Sequence, residues 1–286
     1  THCISSAASD VYKRQPYASL PLFAEKPYTI SSVETSRSFF GQMNYDTPAL
    51  QDEKVRKAIA MSIDKENFTK TLLDGNGTAA EGPFPANFAF GDDTVTAPIY
   101  NPEEARKLLE EAGWKDSDGD GYVDKNGENL TIRWVTYPSR QELPLLAESV
   151  QATMKEVGIK VDVNCSADFQ SFLDKGEWDI YAGAFVCAPT GDPEYFFTTH
   201  CLDESSKNRG GYHSDKLQAL EEEMKSAFDT EKRAELATQM TQTILDDNAF
   251  IFASHLKMSI VSGEGVTGLE AHPCDYYEIT VDLDKN

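Results

Sequence analysis

The sequence predicts an α/β chain with a mixed, partly parallel sheet flanked by helices, and three observations carry that prediction. A run of strand composition at 130–136 (LTIRWVT) is followed by an amphipathic stretch at 141–157, a glycine at 158 and a second strand-like run at 159–163. Strand, crossover helix, strand is the unit of a parallel sheet, and its connection is right-handed. The alternation continues through a short helix at 169–175 into a strand at 178–185. Two longer helices, at 214–228 and 230–247, then lead into strands at 250–261 and 276–283.

The elements upstream follow from their caps. Prolines at 16, 21 and 27 mark a loop-like stretch, and 38–44 (SFFGQMN) reads as a short strand. Asp52 is a good N-cap for Val55 and Ile59 at helical spacing. Asp64 caps a second short helix carrying Phe68, Leu72 and Leu73, which stops at Asp74 and Gly75. Residues 82–98, with prolines at 83, 85 and 98, read as a long loop over the surface. Asn101 followed by Pro102 opens a helix through Ala105, Leu108 and Leu109 that Gly113 ends. The first fifteen residues (THCISSAASDVYKRQ) have no helical or strand period and resemble translated adapter sequence, so 1–15 is set aside as a non-native segment.

The 286 residues, 40% hydrophobic and 10% aromatic, suffice for a sizeable core in one large domain or two small ones. Charge is the outlying property: 26 Lys plus Arg against 48 Asp plus Glu give a net of −22. That field repels phosphate, which excludes nucleic acid and anionic lipid as partners and suits a soluble monomer outside a cell. No apolar run approaches the ~18 residues of a membrane span, and nothing at the start resembles a signal peptide. The five cysteines (3, 165, 187, 201 and 274) are widely spaced without a C-x-x-C pair. They read as small apolar residues, with a Cys187–Cys201 bridge as the alternative. Nucleophile-elbow, H-E-x-x-H, P-loop and G-x-G-x-x-G motifs are absent, so a secreted hydrolase, the rival class, lacks its usual anchors.

One motif is sharp by spacing alone. Asp116, Asp118, Asp120, Gly121 and Asp124 match positions 1, 3, 5, 6 and 9 of a calcium loop, but position 12 is Gly127, with Glu128 one place late. A hairpin turn held by Asx hydrogen bonds is the favoured alternative to a structural calcium site.

Five stretches, in this order, resemble the family 5 solute-binding proteins: DEKVRKAIAMSID (52–64), YNPEEARKLLEEAGW (100–114), DGDGYVDKNG (118–127), WDI (178–180) and GDPEYF (191–196). These proteins serve ATP-driven ABC importers of peptides and nickel. TYPSRQELPLLAESVQATMKEVGIKV (136–161) and APTGDPEYF (188–196) are most similar to the nickel and metallophore branch. The resemblance implies a two-lobed, periplasmic-binding-protein-like fold with ligand between the lobes. It implies that 16–44 ends a first-lobe portion, 45–262 forms the second lobe and 263–286 returns to the first. An extracytoplasmic location, a partnership with ABC permease transmembrane subunits, no required cofactor, and nickel or a nickel chelate as transported ligand are also implied. A dipeptide or oligopeptide is the alternative ligand.

The site residues follow from the same resemblance and from chain position. The nickel branch places a histidine on the metal from a loop after its Asp-Pro element; here His200 lies seven residues beyond Pro193, and neutral imidazole suits nickel. A solvated surface histidine is the other reading. Arg140 lies just past a predicted strand, at the mouth of the next helix, where α/β sheets present ligand-facing loops and an arginine fork can grip carboxylates; a surface arginine of the helix's first turn is the other reading. Tyr137 sits beside it. Arg209, Tyr212 and His213 occupy a glycine-bearing loop (NRGGYH) that faces the cleft or merely connects. Trp114 and Trp178 read as packing residues, and His255 and His272 have no assigned place.

Overall fold

The computed structural model describes residues 12–14, 17–24, 27–274 and 281–285. A seven-stranded mixed sheet runs through the molecule in the order β1-β9-β2-β8-β6-β7, with β3 also paired to β9. Its strands are β1 (Tyr12–Arg14), β2 (Thr29–Met43), β3 (Gly77–Ala79), β6 (Thr131–Thr136), β7 (Lys160–Cys165), β8 (Ile180–Val186) and β9 (Phe250–Ser262). A small hairpin pairs β4 (Asp124–Lys125) with β5 (Glu128–Asn129), and β10 (Val266–Thr267) pairs with β11 (Asp284–Lys285). β6 lies parallel to both β7 and β8, as the strand–helix–strand pattern requires, while β2 is antiparallel to β8 and β9.

The helices begin where their caps say. In α1 (Glu53–Met61) the Asp52 carboxylate accepts from Lys54 N. The Asp64 carboxylate accepts from Asn67 N at the head of the next short turn. In α2 (Pro102–Glu111) Asn101 accepts from Glu104 N, and Gly113, at φ 86°, ends the helix in the left-handed region. The crossover is α3 (Glu142–Glu156), followed by α4 (Phe169–Asp174), α5 (Glu194–His200), α6 (Asp215–Ser226) and α7 (Thr230–Asp246).

Alternation along the strands puts the core on both faces of the sheet. Phe39 joins one layer with Ile59, Leu109, Trp134 and Val150, while its neighbour Phe40 joins the other with Phe84, Phe196, Met240 and Phe252. The structure departs from the sequence reading in several places. β2 starts at Thr29 rather than at Ser38, because the polar run TISSVETSR is held by backbone pairing to β9 and not by an apolar pattern. The 82–98 loop is anchored rather than superficial: Phe84 and Phe90 are core residues, and the Asp92 carboxylate accepts from Glu81 N and Gly82 N. Within the stretch set aside as non-native, Tyr12–Arg14 pairs with β9. Of the strand expected at 276–283, residues 276–280 lie outside the described residues and the pairing falls instead at Asp284–Lys285.

Residues 37–43 are in register with β8 from Arg37↔Val186 to Met43↔Ile180, within the main sheet. Cys187 and Cys201 are both buried free thiols, so the alternative of a bridge between them is not formed.

Candidate functional site

β6 and β7 end side by side, at Thr136 and Cys165, and the chain leaves both toward the N-termini of α3 and α4. Ligands of open α/β sheets gather at that carboxyl end. Here a concavity of about 300 Å³ is lined by Tyr137, Pro138, Ser139, Ala167 and Phe169. A run of rings leads away from it: Tyr137 to Phe169 at 4.9 Å, Phe169 stacked on Tyr181 at 5.4 Å with planes 4° apart, and Tyr181 edge-on to Phe185 at 6.4 Å. The Tyr137 hydroxyl accepts from Ala184 N, tying this ring to β8. Gly183 stands between Tyr181 and Phe185 because a Cβ there would lie 2.6 Å from the Phe185 ring.

Two cations rest on this aromatic wall. The Arg209 guanidinium lies 5.6 Å from the centre of Tyr181, and the Lys207 ammonium 5.6 Å from that of Phe185. Each ring face attracts a cation and orders it without neutralising its charge. The loop bearing them is pinned to the end of β2: Tyr45 N donates to Gly210 O, and Arg209 N to Gln42 Oε1 at 3.2 Å. Any side chain at Gly210 would put its Cβ 1.9 Å from Met43 O. Arg140 is exposed at the mouth of α3, and among the described residues its guanidinium has no hydrogen-bond or ion-pair partner. Tyr137, Arg140 and Arg209 therefore belong to this end of the sheet.

Other expected site residues are buried behind this wall or turned away from it. Tyr212 is only 3% exposed and donates its hydroxyl to Asp247 at 2.5 Å, so it packs in the second core layer instead of facing ligand. His213 is exposed and turned to Asp203, whose hydrogen bond and charge raise its basicity. His200 is the last residue of α5 and not part of a loop. At 1% exposure it sits against the rings of Phe40, Phe185 and Phe196, with Gln42 Nε2 at 3.3 Å from its Nδ1. Burial, reinforced by Lys207 and Arg209, pushes this imidazole down to about 3, so it is neutral at physiological pH. Neither the solvated surface position nor the open loop position expected for it is found.

The aspartate motif divides. Asp116, Asp118 and Asp120 each bring one carboxylate oxygen within 4.8 Å of the others. Those carboxylates accept from backbone N–H groups, Asp116 from Gly119 and Gly121, Asp118 from Asp120, and Asp120 from Tyr122, as Asx turns do. Asp124 is not among them. Its carboxylate accepts from the hydroxyl and N–H of Ser117, which hold it below the usual carboxylate range. Three of the four aspartates thus share one Asx-type turn, and the fourth, Asp124, stands apart from it.

Two family-like motifs prove to be supports. Asp179 of WDI is buried and accepts from Arg133 N, Nε and Nη2 and from Thr47 Oγ1, joining β6 to the chain after β2. Asp192 and Glu194 of GDPE are both held by Arg233 of α7, at 2.7 Å and 2.6 Å. Trp178 packs in the layer behind Tyr181, as expected. Sequence reasoning missed Gln42, Phe169, Tyr181, Phe185 and Lys207. The only local signal was the Tyr-x-Gly-x-Phe alternation at 181–185, which puts two rings on one face with space between them.

The sheet presents aromatic faces and cations beside the carboxyl ends of β6 and β7, and its mixed, partly parallel architecture is periplasmic-binding-protein-like. The chain belongs to the bacterial extracellular solute-binding proteins, family 5, whose model matches residues 5–208. The oligopeptide-binding protein AppA of Bacillus subtilis is 28% identical over 244 residues, 82% of this chain and 45% of that protein. The nickel-binding protein NikA of Staphylococcus aureus is 23% identical over 228 residues, 79% of this chain and 44% of that protein. The structure of Bacillus subtilis AppA in complex with a nonapeptide superposes with a TM-score of 0.80 at 21% identity, covering 94% of this chain and 55% of that one. Staphylococcus aureus NikA in complex with Ni(L-His)2 gives 0.80 at 20% identity, covering 98% and 58%. The chain spans about half the length of these relatives. The family binds solutes rather than transforming them, and among the described residues no helix is long and apolar enough to cross a membrane.

Proposed function

We propose that this chain forms one wall of the ligand cleft of an extracytoplasmic, monomeric ABC-importer receptor, which captures nickel as a carboxylate-bearing chelate and delivers it to a membrane permease. The observation that carries this reading is the pair of cations, Arg209 and Lys207, held on the Tyr181 and Phe185 rings, with exposed Arg140 at the nearby strand ends. Cations ordered by ring faces suit the carboxylates of a chelate, and the flat rings suit a planar ligand surface; a bare metal cation would be repelled. Closing of two lobes over the ligand would be the signal read by the permease. The ligand is returned unchanged, so no catalytic residue and no resident cofactor enter the reading.

Calorimetry tests this with nickel alone, nickel plus L-histidine, and a dipeptide, on this chain and on a longer polypeptide carrying a second lobe. Chelate binding that Arg209→Ala weakens about tenfold, with little change in folding stability, is expected. Tighter binding of bare nickel than of its histidine chelate would overturn it. A second reading, a short peptide gripped by its C-terminal carboxylate, is favoured by the 28% identity to an oligopeptide-binding protein. Dipeptide binding in place of chelate binding would select it.

A further inference from the structure

We propose that Gln42 is the positioning residue of this wall: one side-chain amide fixes the backbone of Arg209 and locks His200 as the Nε2–H tautomer, leaving that imidazole no free lone pair for a metal. The part concerning Arg209 rests on the carboxylate-capturing reading above; the part concerning His200 does not.

The argument is one of donors and acceptors. Gln42 is 2% exposed on β2, and its amide lies between two groups. On one side is Arg209 N, a backbone N–H that can only donate, at 3.2 Å from Gln42 Oε1. The oxygen end of the amide must therefore face Arg209. The amino end then faces His200 Nδ1 at 3.3 Å, and an amino group can only donate. Nδ1 is thus the acceptor, and a neutral imidazole with an accepting Nδ1 carries its hydrogen on Nε2. Turning the amide over would set donor against donor at Arg209 N. A second proton on the ring is disfavoured from all sides: Phe40 of β2, Phe185 of β8 and Phe196 of α5 exclude water, and the charged groups facing it, Lys207 and Arg209, are both cationic.

A consequence follows for ligand choice. Nickel ligation through Nε2 requires its proton to move to Nδ1, which requires Gln42 to turn and release Arg209. Metal on His200 and an aligned Arg209 are mutually exclusive, so the device favours a ligand that arrives with its metal already chelated.

The test is ring nitrogen NMR on the full 286-residue chain, which needs no variant to read the tautomer. His200 is expected as neutral Nε2–H from about pH 5 to 8, with its ring signals undisturbed by nickel ion alone. In Gln42→Glu the acceptor for Arg209 N is kept but an anionic acceptor faces Nδ1, so the ring should take a second proton and titrate near neutral pH. In Gln42→Met both tautomers should appear, and affinity for nickel plus L-histidine should fall about tenfold. An Nδ1–H tautomer in the unmodified chain, or selective broadening of the His200 ring signals by nickel ion alone, would overturn the proposal. The expected tautomer in a protein that binds neither nickel–histidine nor dipeptide would uphold the lock and overturn the ligand reading.

Discussion

In the hairpin at residues 116–129, Asp116, Asp118 and Asp120 direct their carboxylates to backbone N–H groups two to five residues away. Around Tyr181, by contrast, the side chains that make the wall come from β2, the end of β6, α4, β8 and the 205–212 loop. The turn of the hairpin satisfies its carboxylates locally, and its main distant tie is the bond from Val123 N to Gly158 O. The wall exists only while remote anchors hold: Gly210 against Met43, Gln42 between Arg209 and His200, and Arg133 on Asp179. Groups of the first kind tolerate change elsewhere in the protein, and groups of the second kind report it.

The largest effect that this contrast predicts is at Gly210. In Gly210→Ala the new Cβ would collide with Met43 O, so either the loop leaves β2 or the end of the strand shifts. A loss of about 3 kcal/mol in unfolding free energy is expected, with solute binding lost as well, measured by denaturant titration and calorimetry. An unchanged midpoint would mean that the wall is aligned by something other than this close approach.

An intermediate effect concerns α6, which packs into the second core layer. Glu221 of α6 is 1% exposed, and neither carboxylate oxygen has a hydrogen-bond partner among the described residues. Burial, with the charge of Glu194 added, pushes it from 4.5 up to about 7. The folded state therefore holds this proton more tightly than the unfolded chain does. Its contribution to stability is complete below about pH 4.5 and is lost as pH rises through about 7. Glu221→Gln should remove most of that decline, gaining about 1 to 2 kcal/mol over the unmodified protein at pH 8 while differing little at pH 4.5. Parallel stability–pH curves for the two proteins would refute the assignment.

The smallest effect belongs to the hairpin. Asp118→Ala removes a single exposed acceptor, for Asp120 N, and should cost about 0.5 kcal/mol without disturbing the wall. Calcium should shift the Tm of neither protein. A calcium-dependent rise in Tm that the variant lacks would convert the turn into an ion site and narrow the contrast with the wall.

Much of the framework was legible because its signals are short-range. Asp52, Asp64 and Asn101 cap the N–H groups of the residues that immediately follow, and Gly113 and Gly158 end helices by adopting positive φ. The parallel pairing of β6 with β7 follows from a strand–helix–strand period. The misses are of another kind. α5 was passed over because residues 194–200 form only two turns behind an N-cap proline that offers no side-chain acceptor, and are stabilised instead by the Asp192 carboxylate, by Arg233 and by packing on Phe40. The first half of β2 carries no apolar alternation, since backbone bonds to β9 supply its pairing. His200 and Tyr212 have polar side chains in surface-like sequence, and only the packed core shows that one lies among three rings and the other reaches Asp247.

By itself the sequence determined the α/β order of elements, the parallel unit at its centre, the Asx-type turn and the motifs that mark the family, because each depends on residues a few positions apart. The tertiary structure alone decided that Arg209 and Lys207 stand on Tyr181 and Phe185, that Gln42 joins Arg209 to His200, and that Tyr212 turns inward. Gln42 and Arg209 are 167 positions apart in the chain, and a hydrogen bond at that separation leaves no local period to read. Folding brings such residues together through the packing of everything between them.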